Sequence, residues 1–263
     1  MLNVTDQLII EKDNGIGRII LNNQERRNAM TFEMWRDLPT ILDDYRADDD
    51  VRVIVISGKG RKAFCAGADI SQFEKNRSSE DATIIYNETV SKASIGLAKI
   101  TKPTIAKIEG FCIGGGLGIA MCCDIRIAND VSSYAIPAAK LGLGYGHEGL
   151  KRLVDVVGPS VAKEIFFTSR QFTAREAFGM GLVNRVVPRA VLDSYVADYA
   201  NRMAENAPLT ILAAKVVIDE LKKAEDMDKD LCDRVVADCF ASEDYQEGRK
   251  AFMEKRKPKF KRR

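Results

Sequence analysis

The stretch GFCIGGGLGIAMCCD, residues 110–124, decides the fold because a cluster of glycines joins a strand-like run to a helix-like run. Its five glycines are Gly110, Gly114, Gly115, Gly116 and Gly118. When a strand leads through a glycine turn into a helix, the turn exposes backbone N–H groups at the helix N-terminus, where the helix dipole favours negative charge. The stretch predicts either a site for a negatively charged oxygen or a helix that starts in close contact with a strand and binds nothing.

Two common glycine motifs do not fit this stretch. The dinucleotide fingerprint G-x-G-x-x-G would need a glycine where Ile119 stands, and the phosphate loop would need a G-K-[ST] sequence that is missing. A second loop, GKGRKAFCAGADI at 58–70, also follows an apolar run and would present backbone N–H groups around Ala68. Two such loops from neighbouring strands can meet at one oxygen atom, so the sequence favours an oxyanion site.

Strand-like and helix-like patterns alternate through the first part of the chain. The predicted strands are residues 7–12, 16–21, 51–57, 103–110, 124–130 and 182–188, and an Asn-Gly turn between the first two predicts a hairpin. From residue 189 the pattern predicts only helices, at about 189–205, 208–223, 228–241 and 243–257. We therefore expect an α/β body over 1–188 and a helical region over 189–263.

Composition excludes several classes of function. The 263 residues carry a net charge of only +2, which gives no general attraction to nucleic acid or to a membrane surface. Six cysteines without paired C-x-x-C spacing and one histidine, His147, predict no metal site. The N-terminus resembles no targeting segment and no apolar run reaches membrane-spanning length, so we expect a cytoplasmic protein.

Five segments together resemble the crotonase (enoyl-CoA hydratase/isomerase) superfamily. They are KAFCAGADIS, KPTIAKIEGFCIGGG, CDIRIA, TAREAFGMGLVNRVVP and SEDYQEGRKAFMEKRKPKF, in this order from near residue 7 to the C-terminus. The resemblance implies the α/β ClpP/crotonase fold, a spiral of ββα repeats, with a C-terminal helical region that builds homotrimers or hexamers. It also implies an acyl-CoA thioester substrate and no cofactor beyond the coenzyme A that the substrate carries.

The resemblance further implies which residues form the site. The backbone N–H groups of Ala68 and Gly115 would form an oxyanion hole for the thioester carbonyl, where enolate charge gathers. Contacts to the rest of the substrate are implied for Arg26, Arg27, Ala66, Gly67, Asp69, Ile70, Gly114, Phe252 and Lys255.

The C-terminal tail KRKPKFKRR, residues 255–263, has seven basic residues among nine. A solvated, partly frayed end is the interpretation that we favour. Contact with the CoA phosphates and a nucleic-acid-binding arm are the alternatives.

The resemblance breaks at the two glutamates with which enoyl-CoA hydratases manage proton transfer. The first would stand at Gly118 and the second at Ala138, and neither residue can carry a proton. The nearby run LGLGYGHEGLKRL, 141–153, supplies Tyr145, His147 and Glu148. Structural roles are the simpler interpretation, and for Glu148 that role is stabilising a helix start.

The sharper hypothesis is that Glu148, with His147 or Tyr145, replaces the missing pair. Glu88 and Tyr86 are weaker candidates. Nominally the family hydrates 2-enoyl-CoA; the alternatives are an isomerase, a decarboxylase or a thioesterase acting on acyl-CoA, or an acyl-CoA-binding protein without catalysis.

Overall fold

The chain passes repeatedly between two β-sheets. A computed structural model describes residues 2–72 and 78–262. The larger sheet has the order β1 (Leu8–Asp13), β2 (Ile16–Leu21), β3 (Val53–Gly58), β5 (Thr104–Ile108), β7 (Ile125–Asn129) and β10 (Arg185–Val187). The smaller sheet has the order β4 (Ala63–Cys65), β6 (Phe111–Ile113), β8 (Ser133–Ala135) and β9 (Phe172–Thr173).

The order of the strands produces the predicted spiral. From β3 to β8, successive strands belong alternately to the larger and the smaller sheet. Within the larger sheet, β1 and β2 form the predicted antiparallel hairpin, and every other pair is parallel. Parallel strands begin at one edge and end at the other. We call these the amino edge, where β3, β5 and β7 begin, and the carboxyl edge, where they end.

Helices connect and cover the strands. They are α1 (Phe32–Ala47), α2 (Glu80–Ala98), α3 (Gly115–Cys122), α4 (His147–Thr168), α5 (Ala174–Gly179), α6 (Leu192–Glu205), α7 (Pro208–Leu221), α8 (Lys229–Ala241) and α9 (Glu243–Met253). A non-helical residue, Gly158 at φ 76°, interrupts α4 just before Pro159. The predicted helical region after residue 189 is confirmed as α6 to α9. No helix among the described residues is long and apolar enough to cross a membrane.

The central strands of the larger sheet, β3, β5 and β7, are buried on both faces, as expected for parallel strands. Val53 and Val55 of β3 pack on one face with the apolar stripe of α6, whereas Ile54 and Ile56 belong to the main core on the other. This alternation follows from the two-residue period of a strand. On the main-core face, the apolar stripe of α1 is buried, including Met34, Trp35, Leu38, Ile41, Leu42 and Tyr45.

All six predicted strands are confirmed, although the bounds of most differ from the prediction. The run 182–188 forms a strand only over Arg185–Val187. The strands of the smaller sheet were not predicted, because two or three residues are too few to show a period.

The basic tail is solvated, as expected, since most of its side chains are exposed, but the expectation of a partly frayed end is wrong for the described residues up to 262. The carboxylate of Asp244 is buried and accepts hydrogen bonds from the backbone N–H groups of Lys261 (2.6 Å) and Arg262 (2.8 Å). Arg52, just before β3, donates to the carbonyl oxygen of Phe260 over 2.7 Å. These contacts hold the tail at the amino edge. Arg263 lies outside the described residues.

Candidate active site

The two predicted glycine loops leave neighbouring strands at the carboxyl edge and touch there. A Cβ atom built on Gly115 would lie 3.5 Å from the backbone nitrogen of Ala68. A Cβ atom built on Gly67 would lie 3.6 Å from the backbone nitrogen of Gly115. The structure therefore brings Ala68 and Gly115 together, as expected for two loops that leave neighbouring strands.

Ala68 has a free backbone N–H because its neighbours make the local hydrogen bonds. Ala68 forms an isolated parallel bridge with Met30. In that bridge Met30 donates to the oxygen of Gly67 (2.8 Å), and Asp69 donates to the oxygen of Met30 (2.9 Å). Among the described residues, no acceptor takes the N–H of Ala68.

Gly115 has a free N–H because it opens a helix. It is the first residue of α3, and first-turn N–H groups have no partner within their helix. The residue before it, Gly114, makes no side-chain cap, and its own N–H donates to the oxygen of Ala135 over 2.8 Å. Within the described ranges the N–H of Gly115 donates no hydrogen bond. Two unpaired donors thus lie side by side at the carboxyl edge.

The glycines of these loops serve different purposes. Gly114 has φ 52° and ψ −117° and Gly67 has φ 107°, which are conformations that residues with a Cβ rarely adopt. Gly116 allows close packing, since a Cβ there would lie 2.3 Å from the carbonyl oxygen of Cys65. Gly115 has no positive φ, and its missing side chain instead leaves space between the two amides.

Trp35 lies beside this space, a position that no pattern in the sequence indicated. Its Cζ2 atom would be 3.4 Å from a Cβ on Gly115. The indole is 2% exposed, and its Nε1–H has no hydrogen-bond partner in the part of the chain that the structure describes. The helical spacing placed Trp35 on the buried face of α1, but spacing cannot show an unpaired donor.

The predicted substrate loop and the predicted basic turn are adjacent. The N–H of Ala66 donates to the oxygen of Arg27 over 3.0 Å, and the Arg27 guanidinium lies 5.0 Å from the ring centre of Phe111. Arg26 is exposed on the same turn and Ile70 is 70% exposed on the loop.

Asp69, for which a substrate contact was predicted, has its carboxylate engaged within the loop. It is buried and accepts from the backbone and the hydroxyl of Ser71, at 3.0 and 2.6 Å. It also accepts from Asn23 at 3.5 Å. These hydrogen bonds indicate that the Asp69 carboxylate stabilises the conformation of the loop rather than contacts a substrate.

Three further basic residues, not assigned in the sequence analysis, lie on the second loop. Lys59, Arg61 and Lys62 are exposed between β3 and β4. Asn28, which follows Arg27, donates to the oxygens of Lys59 (3.0 Å) and Ala63 (2.7 Å) and so fastens the basic turn to this loop. We call the exposed cations Arg26, Arg27, Lys59, Arg61 and Lys62 the basic rim. In the sequence, the run GKGRK at residues 58–62 could have indicated this set of cations.

Phe252 and Lys255 are not brought to these loops within one chain. Both are exposed near the end of α9, which packs with the anchored tail at the amino edge. The six residues of β3, at about 3.3 Å each, separate that edge from the loop that bears Ala68.

The positions of the two missing glutamates have different surroundings. A Cβ built on Gly118 would meet no atom within 4 Å, so packing does not exclude a side chain there. Ala138 is 3% exposed, and its oxygen accepts from the N–H of Leu143 over 3.0 Å. Among the described residues, no group of three His, Cys, Asp or Glu side chains is placed to hold a metal ion.

His147 and Glu148 occupy the first turn of α4 and are both exposed. Glu148 accepts a hydrogen bond from the hydroxyl of Ser91 on α2 over 3.3 Å. A carboxylate in this position stabilises the helix start. Glu88 is exposed on α2, whereas Tyr86 is buried on the inner side of the same helix.

Two phenols lie on the inner side of this region. The ring of Tyr86 stacks on Phe32 with 6.4 Å between centroids, and the ring of Tyr145 meets Phe166 edge-on at 5.0 Å. Burial raises the pKa of Tyr145, and the neighbouring Tyr86 raises it further. The Tyr145 phenol therefore stays protonated at neutral pH.

Comparison with known proteins agrees with this architecture. The family model described as enoyl-CoA hydratase/isomerase matches residues 11–263. A short-chain-enoyl-CoA hydratase of Clostridium acetobutylicum is 32% identical over 256 residues, 96% of each chain. A crotonyl-CoA hydratase of Syntrophomonas wolfei is 34% identical over 259 residues, 97% of this chain and 98% of its own.

The fold also matches solved structures. An enoyl-CoA hydratase/carnithine racemase from Magnetospirillum magneticum has a TM-score of 0.93 and 33% identity, covering 98% of this chain and 97% of its own. An enoyl-CoA hydratase from Bacillus anthracis has a TM-score of 0.89 and 27% identity, covering 98% of this chain and 100% of its own. The crotonase fold expected from the sequence is confirmed, and the chain belongs to the enoyl-CoA hydratase/isomerase family.

Proposed function

We propose that this protein binds an acyl-CoA thioester and stabilises its enolate between the backbone N–H groups of Ala68 and Gly115. The observation that carries the proposal is the pair of unpaired amides at the contact of the two loops. Negative charge collects on the thioester oxygen when an enolate forms, and fixed donors aimed at that oxygen stabilise the charge. Removing one such donor typically lowers kcat by about 10²- to 10³-fold.

The coenzyme A part would lie along the basic rim. Its phosphates are anionic, and the five exposed cations of the rim stand next to the loop that holds Ala68. Such contacts fix the position of the substrate without acting on the reacting carbons. They also explain how a chain of net charge +2 attracts a polyanionic ligand locally.

The reaction itself would not be hydration by a glutamate pair. Relatives are named enoyl-CoA hydratases, but Gly118 and Ala138 offer no proton donor or acceptor. We propose a reaction in which stabilisation of the oxyanion is the main contribution. For proton transfer, the sequence suggests Glu148 and His147 in place of the missing glutamates. Both are exposed on the first turn of α4.

The active form would be a homotrimer or a hexamer. The C-terminal helices expose large apolar side chains that one chain leaves uncovered, among them Ile218, Leu221, Phe240, Phe252 and Met253. In such an assembly Phe252 and Lys255 would reach a substrate held by another subunit. Sedimentation of the wild type tests this proposal, and a monomer would contradict it.

A matched pair of glycine variants tests the oxyanion hole. Gly115→Ala places a methyl group 3.5 Å from the Ala68 nitrogen, in the space that the oxygen needs, while Gly118→Ala adds the same group where no atom lies within 4 Å. Each variant is assayed with the wild type for hydration, double-bond migration, CoA release and decarboxylation of a malonyl-type thioester. Acyl-CoA binding is measured by calorimetry.

We expect the wild type to catalyse at least one reaction that passes through a thioester oxyanion. Gly115→Ala should lower its turnover by about 10²-fold or more, whereas Gly118→Ala should keep most of it. Equal turnover in the two variants would contradict the proposal. Tight acyl-CoA binding with four negative assays would instead identify a binding protein without catalysis.

A further inference from the structure

We propose that the indole of Trp35 is a third group that stabilises negative charge in the space between the amides of Ala68 and Gly115. The inference rests on the proposed function, because it requires a thioester oxygen in that space. It adds a side chain to an oxyanion hole otherwise built from backbone groups.

The edge of the indole ring borders the same space as the two amides. The position that a Cβ atom on Gly115 would occupy lies 3.4 Å from Cζ2 of Trp35 and 3.5 Å from the backbone nitrogen of Ala68. An oxygen atom that enters this space therefore comes within contact distance of the ring edge. Distances of about 3.3–3.6 Å between carbon and oxygen are typical of weak C–H···O hydrogen bonds.

The edge of an aromatic ring carries positive partial charge, whereas its face carries negative partial charge. In Trp35, Cζ2–H and Nε1–H lie on one edge of the indole, because both atoms are bonded to Cε2. The hydrogen on Nε1 is the more positive of the two, since nitrogen withdraws electrons from it. The edge that borders the space is therefore the part of the ring that attracts an anion.

The unpaired Nε1–H keeps the positive charge of this edge from being offset. Within the ranges 2–72 and 78–262 it has no hydrogen-bond partner, although Trp35 is 2% exposed. By contrast, the buried hydroxyls of Tyr45 and Tyr134 are hydrogen-bonded. A carbonyl oxygen bonded to Nε1 would place negative charge beside the ring edge and weaken its attraction for an anion.

The burial of Nε1 determines how the indole acts. Because this nitrogen is not exposed, Cζ2–H makes the contact with the oxygen, and Nε1–H contributes through the charge distribution of the ring. A buried donor without a partner destabilises the folded chain. We expect a protein to keep such a donor where it favours a bound anion.

The backbone fixes the position of Trp35 relative to the Ala68 amide. Ala68 forms the parallel bridge with Met30. The next residue, Thr31, is the N-cap of α1, and its backbone oxygen accepts the N–H of Trp35 over 3.1 Å. Groups that are held in place before charge develops need no reorganisation during the reaction.

The contribution of Trp35 should appear in turnover more than in binding. The thioester oxygen carries a partial charge in the bound substrate and a larger charge in the enolate. The attraction of the ring edge grows with that charge, and a site shielded from water strengthens it. Interactions that are stronger in the transition state than in the bound substrate raise kcat.

The main test changes one atom of the indole. The 263 residues include one tryptophan, so a tryptophan auxotroph grown on an analogue alters Trp35 alone. 7-Azatryptophan replaces Cζ2–H with a ring nitrogen, whose lone pair points where the hydrogen stood and repels an oxyanion. 4-Azatryptophan has the same nitrogen at Cε3, on the opposite side of the six-membered ring, and is the matched comparison.

We expect kcat with 7-azatryptophan to be about 10-fold or more below kcat with 4-azatryptophan. The assay uses the thioester reaction for which the wild type has the highest turnover. The calorimetric Kd values of the two proteins should agree within a few-fold. Binding should also lower the frequency of a ¹³C-labelled thioester carbonyl less with 7-azatryptophan than with 4-azatryptophan. A residue that only fills space would give equal results, because the two analogues have the same shape.

The unmodified protein provides a second measurement that does not depend on folding of the analogues. All its tryptophan fluorescence comes from Trp35. A thioester oxygen against the ring edge should change the emission, and the change should saturate at the Kd that calorimetry gives. Constant emission at saturating acyl-CoA would place the oxygen away from the indole and overturn the inference.

The possible outcomes distinguish this inference from the proposed function. Equal kcat with the two analogues, in a protein that converts an acyl-CoA, would overturn the role of Trp35 and leave the proposed function standing. If the wild type binds acyl-CoA without turnover, equal carbonyl frequencies with the two analogues would overturn it. A wild type without turnover, in which the bound carbonyl has the frequency of free acyl-CoA, would overturn both.

Discussion

The two edges of the larger sheet differ in whether their polar groups are hydrogen-bonded within the chain. At the carboxyl edge, the N–H groups of Ala68 and Gly115 and the indole of Trp35 have no partner among the described residues. At the amino edge, the Asp244 carboxylate accepts two backbone N–H groups, and Asp124 accepts from Thr104 and Lys215. One edge leaves donors without partners, whereas the other uses its polar groups to hold the chain together.

Under the proposed function, residues of the amino edge maintain the fold, whereas the two amides of the carboxyl edge serve the reaction. An unmade hydrogen bond lowers stability when the group is buried, so a protein tolerates free donors mainly where a ligand will pair them. Substitutions at the amino edge should therefore change the free energy of unfolding. Substitutions in the space between the two amides should instead change turnover.

The largest effect on stability is expected from Gly116→Ala at the carboxyl edge. The new Cβ would lie 2.3 Å from the oxygen and 2.7 Å from the Cβ of Cys65, so the backbone has to move. We expect the free energy of unfolding to fall by about 3 kcal/mol, measured by urea denaturation. A loss below about 0.5 kcal/mol would show that the loops are not packed as closely as described.

A smaller loss is expected from Asp244→Ala at the amino edge. The change leaves the N–H groups of Lys261 and Arg262 without their acceptor and should lower stability by about 1–3 kcal/mol. Limited proteolysis should then cleave the tail faster. Asp219→Ala, which removes only an exposed ion pair with Lys222, is the control and should have little effect. Equal protease resistance in the wild type and Asp244→Ala would show that the tail is not held by this carboxylate.

A gain in stability is expected from Gly118→Ala. The methyl group enters open space in the middle of α3, where alanine is a better helix former than glycine. The free energy of unfolding should rise by about 0.5–1 kcal/mol in urea denaturation. A loss would mean that the position is more crowded than the structure shows.

The smallest effect, a dependence on pH, is expected from Glu247 beside the tail. Arg256, and then the N–H of Lys259, lower the pKa of this carboxyl to about 2 from 4.5. A lowered pKa means that the stabilisation is complete above pH 4.5 and is lost as pH falls through about 2. Glu247→Gln should thus have a lower Tm than the wild type at pH 7, and the difference should shrink below pH 4.5. A constant difference in Tm would contradict the assignment.

The sequence predicted the fold well where periodic patterns were long. The helices after residue 189 and the strands of the larger sheet could be located because burial repeats along them. The three-residue strand at Ala63–Cys65 could not, since so short a segment carries no period.

The site was predictable only in part. Glycine spacing and family resemblance pointed to Ala68 and Gly115, and the structure brings these residues together. The unpaired indole of Trp35, the internal use of Asp69 and the anchoring of the tail depend on contacts between distant segments. Such contacts leave no local pattern in the sequence.

The most direct test of the central claim is the infrared band of the thioester carbonyl, observed with acyl-CoA labelled with ¹³C at that carbon. Hydrogen bonds from Ala68 and Gly115 should lower its frequency on binding to the wild type and to Gly118→Ala, but much less on binding to Gly115→Ala. A carbonyl frequency equal to that of free acyl-CoA in the wild-type complex, at saturating ligand, would show that the two amides do not bind the oxygen.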